Sequence, residues 1–265
     1  MRQVPKNLKS SSVLLVGSGR LARHLSHYFE LEKISFEKWS RSTQDEAQLM
    51  LKLERAEVVL IAISDAAIED FFGTHQLQLK AKTCIHFSGA LHVAGAWGAH
   101  PLMSFASELY SLEKYRKIPF VLEEGMPKLN EILPTIKNPI SFLAAEKRAR
   151  YHMLCSMGGN FSVILWEYVI QSFERDLGLS GESLLPYLEQ ITENLSQFAE
   201  EMSEKRKSVL TGPLVRDDLA TIEKHLSELK QDAMKPVYEA FVGAYRRIHA
   251  QQNHRSIQSS EESIQ

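Results

Sequence analysis

Cysteine is scarce. The chain of 265 residues has two, Cys84 and Cys155, far apart and without the paired spacing of a metal site. They build neither a disulfide framework nor a thiolate zinc site, and a reducing cytoplasm is the expected compartment. Charge of one sign is lacking as well: 31 Lys and Arg stand against 33 Asp and Glu, for a formal net charge of -2. No global field draws such a chain to nucleic acid or to an anionic membrane. Short basic clusters such as Glu204-Lys205-Arg206-Lys207 are flanked by acids and read as solvated helix faces. No run approaches the ~20 apolar residues that span a bilayer. The basic start "MRQVPKNLKSSS" has no apolar segment of signal-peptide length behind it. Also missing are H-E-x-x-H, G-x-S-x-G and a Walker lysine, so no metal site, acyl-transfer elbow or nucleotide hydrolysis is expected.

What is present suits a globular protein, with 44% hydrophobic and 24% charged residues. From residue 12 to about 145, apolar strand-like runs alternate with helical patterns. The runs are Val13–Val16, Ile34–Trp39, Glu57–Ile63, Thr83–Phe87, Ala96–His100, Pro119–Leu122 and Ile140–Leu143. Amphipathic stretches near 20–31, 43–55, 66–72 and 127–137 separate them. Such alternation predicts an α/β doubly wound, mainly parallel sheet with helices on both faces. From about 146 the strands stop. One long helix is predicted from Ala145 to Leu177, broken in pattern only by Gly158-Gly159, with further helices near 183–203, 217–230 and 236–250. The fold class is therefore an α/β domain over 1–145 followed by an all-α domain over 146–265. Its polar tail from about 251 is expected to fray.

The stretch "VLLVGSGRLARHL", Val13 to Leu25, carries the first functional signal. Four apolar residues read as a strand buried on both faces, and Leu21, Ala22, Leu25 and Tyr28 recur at helical spacing. Gly17 makes the tight turn, Gly19 lets the backbone approach a ligand, and Ala22 stands where a third small residue lets helix and strand meet. The amides of Ser18, Gly19, Arg20 and Leu21 open the helix and suit a pyrophosphate. This points to a dinucleotide. The second strand ends in Ser40-Arg41-Ser42, where a guanidinium between two hydroxyls matches a 2′-phosphate. Glu37 is the alternative ribose acceptor, yet it lies inside the strand, so NADP(H) is favoured over NAD. The third strand delivers Ile63, Ser64 and Asp65 to the same edge, with Asp65 expected to cap the next helix.

Several motifs occur in order: "GSGRLA", "LIAISDAAI", "HFSGAL", "AHPLMSF", "YHMLCSMGGN" and "LTGPLVRDDLATIEKHL". Together they resemble a bacterial Rossmann-like family with a C-terminal domain of unknown function. That family is akin to deazaflavin-dependent NADP oxidoreductases, pyrroline-5-carboxylate reductases and 6-phosphogluconate dehydrogenases. The resemblance covers about residues 12 to 245 and implies the fold and the cofactor, not the substrate. The family's last motif usually reads Arg-Gly-Asp where this chain has Arg216-Asp217-Asp218. A side chain thus stands where a glycine is expected. The dehydrogenase relatives place a catalytic Lys and an Asn on the equivalent long helix; this chain has no Lys between Tyr151 and Asn160.

The residues that could do chemistry gather at the expected nicotinamide edge. His86 and Ser88 end the fourth strand, where Ser88-Gly89 either holds a substrate oxygen or only makes a turn. His100 is held extended by Pro101. His152, Ser156 and Asn160 are spaced by four and share one helix face, either toward the substrate or toward another helix. His152 is the candidate proton donor, and Asn160 the group that orients the substrate. Thr211, Arg216 and Asp218 either close over an anion or, for Asp218, cap a helix. These residues predict an NADP(H)-dependent oxidoreductase of a small organic acid, ketone or imine. The alternatives are an NADP(H) sensor without turnover and a scaffold that binds no cofactor. Trp166, Tyr168, Val169, Tyr187 and Phe198 exceed what a small helical domain can bury, so a homodimer through the C-terminal helices is expected.

Overall fold

The computed structural model describes residues 12–202 and 207–262. Residues 1–11, Glu204, Lys205 and Arg206 thus lie outside the described residues. All the expected strands form: β1 Val13–Val16, β2 Phe36–Trp39, β3 Val58–Ile61, β4 Thr83–His86, β5 Trp97–Pro101, β6 Phe120–Glu123 and β7 Ile140–Leu143. They make one sheet in the order β2-β1-β3-β4-β5-β6-β7. Neighbours run parallel except β5 and β6, which are antiparallel. Every residue of β1, β3, β4 and β6 is buried, as strands covered on both faces must be.

The covering helices come from the segments between strands: α1 Arg20–Leu31, α2 Glu46–Arg55, α3 Asp65–Thr74, α4 Gln76–Leu79, α5 Leu112–Arg116 and α6 Leu129–Ile132. Alternation along β1 divides the core in two. Val13 and Leu15 meet Ala22, Leu25, Tyr28 and Phe29 of α1 on one face. Leu14 and Val16 meet Leu49 and Leu53 of α2 and Ile68 of α3 on the other. The register aligns Val16 with Trp39 and Ile61, and Ile61 with His86. Four strands therefore end at one level, and the residues after them form a common carboxyl edge.

The predicted long helix is continuous but not uniform. A 3-10 turn at Ala145–Lys147 leads into α7 Arg148–Ser156, a wide π-turn over Met157–Phe161, and α8 Ser162–Leu177. The glycines fall in the wide turn, where low helix propensity matters least. The chain divides into two compact units, residues 1–169 and 170–265. The break falls within α8 and not at the end of β7, because α7 is tied by hydrogen bonds to the loop after β4. Among the described residues, the helix Ala145–Leu177 is long and apolar enough to cross a bilayer by length and composition alone. The expectation that no stretch comes near that threshold is corrected here.

The second unit adds α9 Leu185–Glu200, α10 Leu219–Glu228 and α11 Lys235–Glu262. The last continues past residue 251, where the polar sequence predicts fraying. Asp217 has φ of 52°, in the left-handed region. That conformation favours glycine, and Asp is among the few side chains that tolerate it.

Candidate functional site

The strand order reverses between β1 and β3, and open α/β sheets bind ligands in the crevice at such a point. A cleft of about 530 Å³ lies there. Gly17 sits at its base with φ of 133°, and a Cβ on it would run into the carbonyl of Ala62 just beyond β3. Only glycine fits. Gly19 is the N-cap of α1 and supplies no side-chain cap, while a Cβ there would meet open space. The first amides of α1 are thus left for a ligand, and with the helix dipole they favour an anion. Nothing acidic stands in that first turn.

The expected cofactor residues Gly17, Ser18, Gly19, Arg20, Leu21, Ser40, Arg41, Ile63 and Ser64 all line this cleft. Ser42 does not; its hydroxyl lies 3.1 Å from the Ser40 hydroxyl and 3.4 Å from that of Ser18. It braces the turn that presents Arg41. Arg20 is steered by its own bond to the Phe105 carbonyl at 3.3 Å. Two guanidinium groups on the wall suit phosphates. The opposite wall is formed by Ala67, Asp70, Phe71 and Thr74 of α3. Sequence reasoning missed these residues, although Ala67 and Phe71, like Asp70 and Thr74, are four apart on one helix face. Ala67 and Phe71, with Ile63, offer an apolar slot of the kind a flat base occupies. The groups present therefore fit a dinucleotide.

A second cleft of about 450 Å³ lies within the same unit, beside the π-turn. His152, Ser156 and Asn160 line it together, with His100 and Cys155. The stripe faces a cavity. A Cβ on Gly89 would lie 2.5 Å from Cδ2 of His152 and 3.2 Å from Nε2 of His100. Both rings thus lie against the glycine after Ser88, which explains why that position has no side chain. Nδ1 of His100 shares a hydrogen bond of 2.7 Å with the Tyr151 hydroxyl. Burial first, then His152 and Arg148, pushes His100 down to about 4, so its ring is neutral near pH 7. Burial also raises the Tyr151 hydroxyl, which keeps its proton.

Arg148 holds this arrangement together. It is fully buried at the start of α7, where its Nε donates to the Leu91 carbonyl at 2.7 Å and its Nη2 to the Ser88 carbonyl. Gly98 makes room, since a Cβ there would fall 2.7 Å from the guanidinium carbon. Desolvation lowers the arginine's proton affinity, and nearby Glu123, Tyr151 and Asp65 offset it. The visible signal was a glycine inside a strand, which marks a close approach.

Some expected site residues take other places. His86 is wholly buried within β4, in the core and not on either cleft wall. The Ser88 hydroxyl donates to Asp65 Oδ2 at 2.7 Å and accepts from the amides of Ala90 and Leu91. It organises the turn, so its capacity to hold a substrate oxygen is already committed. Asp65 is the first residue of α3 and not its cap; Ser64 holds the N-cap position. Asp218 does cap, accepting from the amide of Thr221 at 3.1 Å and from its hydroxyl at 2.8 Å. These bonds lower its carboxyl below the usual range. Thr211 and Arg216 belong to the second unit with it.

Short links join the two clefts. Ser64 of the first is followed by Asp65, which holds Ser88, and Gly89 carries His100 and His152 of the second. On the other side Arg20 reaches Phe105, next to Ser104 of the second cleft. The fold and the cleft define the class: a Rossmann-type sheet continued by helices. More particularly, residues 119–244 match the family described as "Domain of unknown function (DUF2520)".

Solved structures share the fold. A Bacteroides fragilis protein described as a "putative NADP oxidoreductase" is 20% identical, with TM-score 0.66 over 91% of this chain and 100% of that one. Plasmodium falciparum pyrroline carboxylate reductase with NADP bound is 12% identical, with TM-score 0.58 over 90% and 99%. A Streptomyces aurantiacus imine reductase is 12% identical, with TM-score 0.60 over 89% and 93%. No curated protein matches the chain.

Proposed function

We propose that the protein is an NADP(H)-dependent oxidoreductase acting on a small organic acid, ketone or imine. The observation that carries this reading is the placement of His152, Ser156 and Asn160 on the wall of a cleft linked through Ser88 and Asp65 to the dinucleotide cleft. Gly17, Gly19 and the amides opening α1 would hold the pyrophosphate, and Arg41 the 2′-phosphate. NADPH supplies hydride to a carbonyl or imine carbon. This chain's part is to position the substrate and provide one proton. His152 would give that proton to the oxygen or nitrogen, while Asn160 and Ser156 orient the acceptor. His100, bonded to Tyr151, lies edge-on to the His152 ring with centroids 6.0 Å apart. The NADP-binding and imine-reducing activities named for the structural neighbours support the same reading.

A homodimer belongs to the proposal. Beyond β7 the buried apolar residues, among those described, are Leu184, Ile222 and Val242, while Met153, Leu154, Met157, Phe161 and Ile164 of the long helix are exposed. Helices with so little core of their own need a further surface to cover them. Cys84 is buried and Cys155 half-buried, both as free thiols, which suits a reducing cytoplasm. The second reading, an NADP(H) sensor without turnover, rests on the missing lysine. Incubating the protein with NADPH and a carbonyl and imine library, and following the loss of cofactor absorbance, separates the two. Turnover of a library member supports the oxidoreductase, and tight NADPH binding with no turnover supports the sensor.

A further inference from the structure

The cleft beside the π-turn has a chemical bias that narrows the substrate. None of the residues that line it is Lys, Arg, Asp or Glu. Its walls offer hydroxyl and amide groups from Ser104, Ser156 and Asn160, and apolar surface from Leu102 and Met103. Of the guanidinium groups nearby, Arg20 donates to the Phe105 carbonyl and lines the first cleft, while Arg148 has its Nε and Nη2 on backbone carbonyls and is completely enclosed. Neither of them lines this cavity. His100 is kept neutral by its burial and shares its Nδ1 with Tyr151. His152 is the other histidine on the wall, and in the proposed reaction its ring is engaged by the reacting oxygen or nitrogen.

A carboxylate entering a half-enclosed site must replace its hydration with paired charges or several donors, and is strongly disfavoured where these are missing. A hydroxyl and an amide can satisfy one carbonyl oxygen or imine nitrogen, while alkyl or aryl groups gain from apolar walls. We infer that the cleft takes an uncharged ketone, aldehyde or imine with a compact alkyl or aryl group, and rejects the carboxylate-bearing analogue. The two glycines of the π-turn extend the space for that group, since a Cβ on Gly158 or Gly159 would meet nothing within 4 Å. This inference rests on the oxidoreductase reading for its reaction, but not for its binding preference.

The test uses matched pairs: acetophenone against benzoylformate, cyclohexanone against its ring-carboxylate analogue, and pyrroline against pyrroline carboxylate. Binding to the full-length chain is read by ligand-observed NMR with and without NADPH, and reduction by loss of NADPH absorbance. The uncharged member of each pair should bind at least tenfold more tightly. Met103→Arg or Ser104→Lys, each checked for folding by circular dichroism, should shift the preference toward the carboxylate by at least tenfold. Equal or tighter binding of the carboxylate members to the wild-type chain, or binding of neither, overturns the inference. Uncharged ligands that bind but are never reduced leave this inference standing and remove the oxidoreductase reading. Carboxylates that are bound and reduced do the reverse.

Discussion

Gly98→Ala should destabilise the protein only while Arg148 is present. The new Cβ would stand 2.7 Å from the guanidinium carbon and from both of its terminal nitrogens within 2.8 Å. A free arginine could swing aside, but this one is wholly buried and bonded to the carbonyls of Leu91 and Ser88. Overpacking of a closed site costs about 1–3 kcal/mol. Losing one charge-assisted bond adds about 1.5–3 kcal/mol. The single substitution should therefore cost about 2.5–6 kcal/mol in total. In an Arg148→Met background the obstacle is gone. The strand conformation at Gly98 has no positive φ, so Ala should there be neutral or stabilise by about 0.4–1 kcal/mol through the unfolded chain. A double-mutant cycle thus gives a coupling of at least about 2 kcal/mol. Urea unfolding followed by circular dichroism and by the fluorescence of the adjacent Trp97 measures it. A cost below about 0.5 kcal/mol for Gly98→Ala, or the same cost in both backgrounds, refutes the clamp.

Three further outcomes are expected. His152→Ala should leave NADPH affinity nearly unchanged and lower turnover at least about tenfold, the lower side of what a positioned acid supplies; stopped-flow kinetics showing an unaltered chemical step would remove His152 from the proton's path. His100 is held down to about 4 from 6.5, so as pH falls the unfolded chain takes up this proton first. Its stabilising contribution is fully present above about 6.5 and is lost between there and about 4, on the order of 3 kcal/mol. His100→Asn should flatten that limb of the stability profile, and urea midpoints falling equally steeply in both proteins would contradict it. Light scattering should give a dimer mass, near twice the 30.2 kDa of one chain. Met157→Lys and Ile164→Lys together should reduce it to a monomer, and a monomeric wild type at micromolar concentration would exclude the interface.

Local signals carried most of the fold. Strands such as "VLLV" and "VVLI" are apolar at every position because both faces are covered, and Gly17 and Gly19 announce the turn between strand and helix. The stripe His152, Ser156 and Asn160 was legible because helical spacing of four fixes a common face, and the π-turn left that face intact. Contacts between residues distant in sequence were not legible. Ser88 reads as a free hydroxyl until Asp65 is seen to accept from it, and His86 reads as an edge residue until burial places it in the core. Arg148 opens an amphipathic helix and looks like any surface cation. Only the void over Gly98, made by tertiary assembly, shows where it goes. The α3 wall was hidden because Ala67 and Phe71 look like ordinary core residues at helical spacing.

If the cleft at the turn from β1 to α1 holds a dinucleotide carrying a 2′-phosphate, Arg41 is the group placed to pair with that phosphate. Arg41 lines that cleft beside the braced hydroxyls of Ser40 and Ser42. Titration calorimetry of NADPH and NADH against the wild-type chain and Arg41→Ala tests it most directly. NADPH should bind the wild type more tightly than NADH. Arg41→Ala should lose about 1.5–3 kcal/mol of affinity for NADPH and little for NADH. Equal affinities of the two cofactors for the wild type, or binding of neither, would contradict the account.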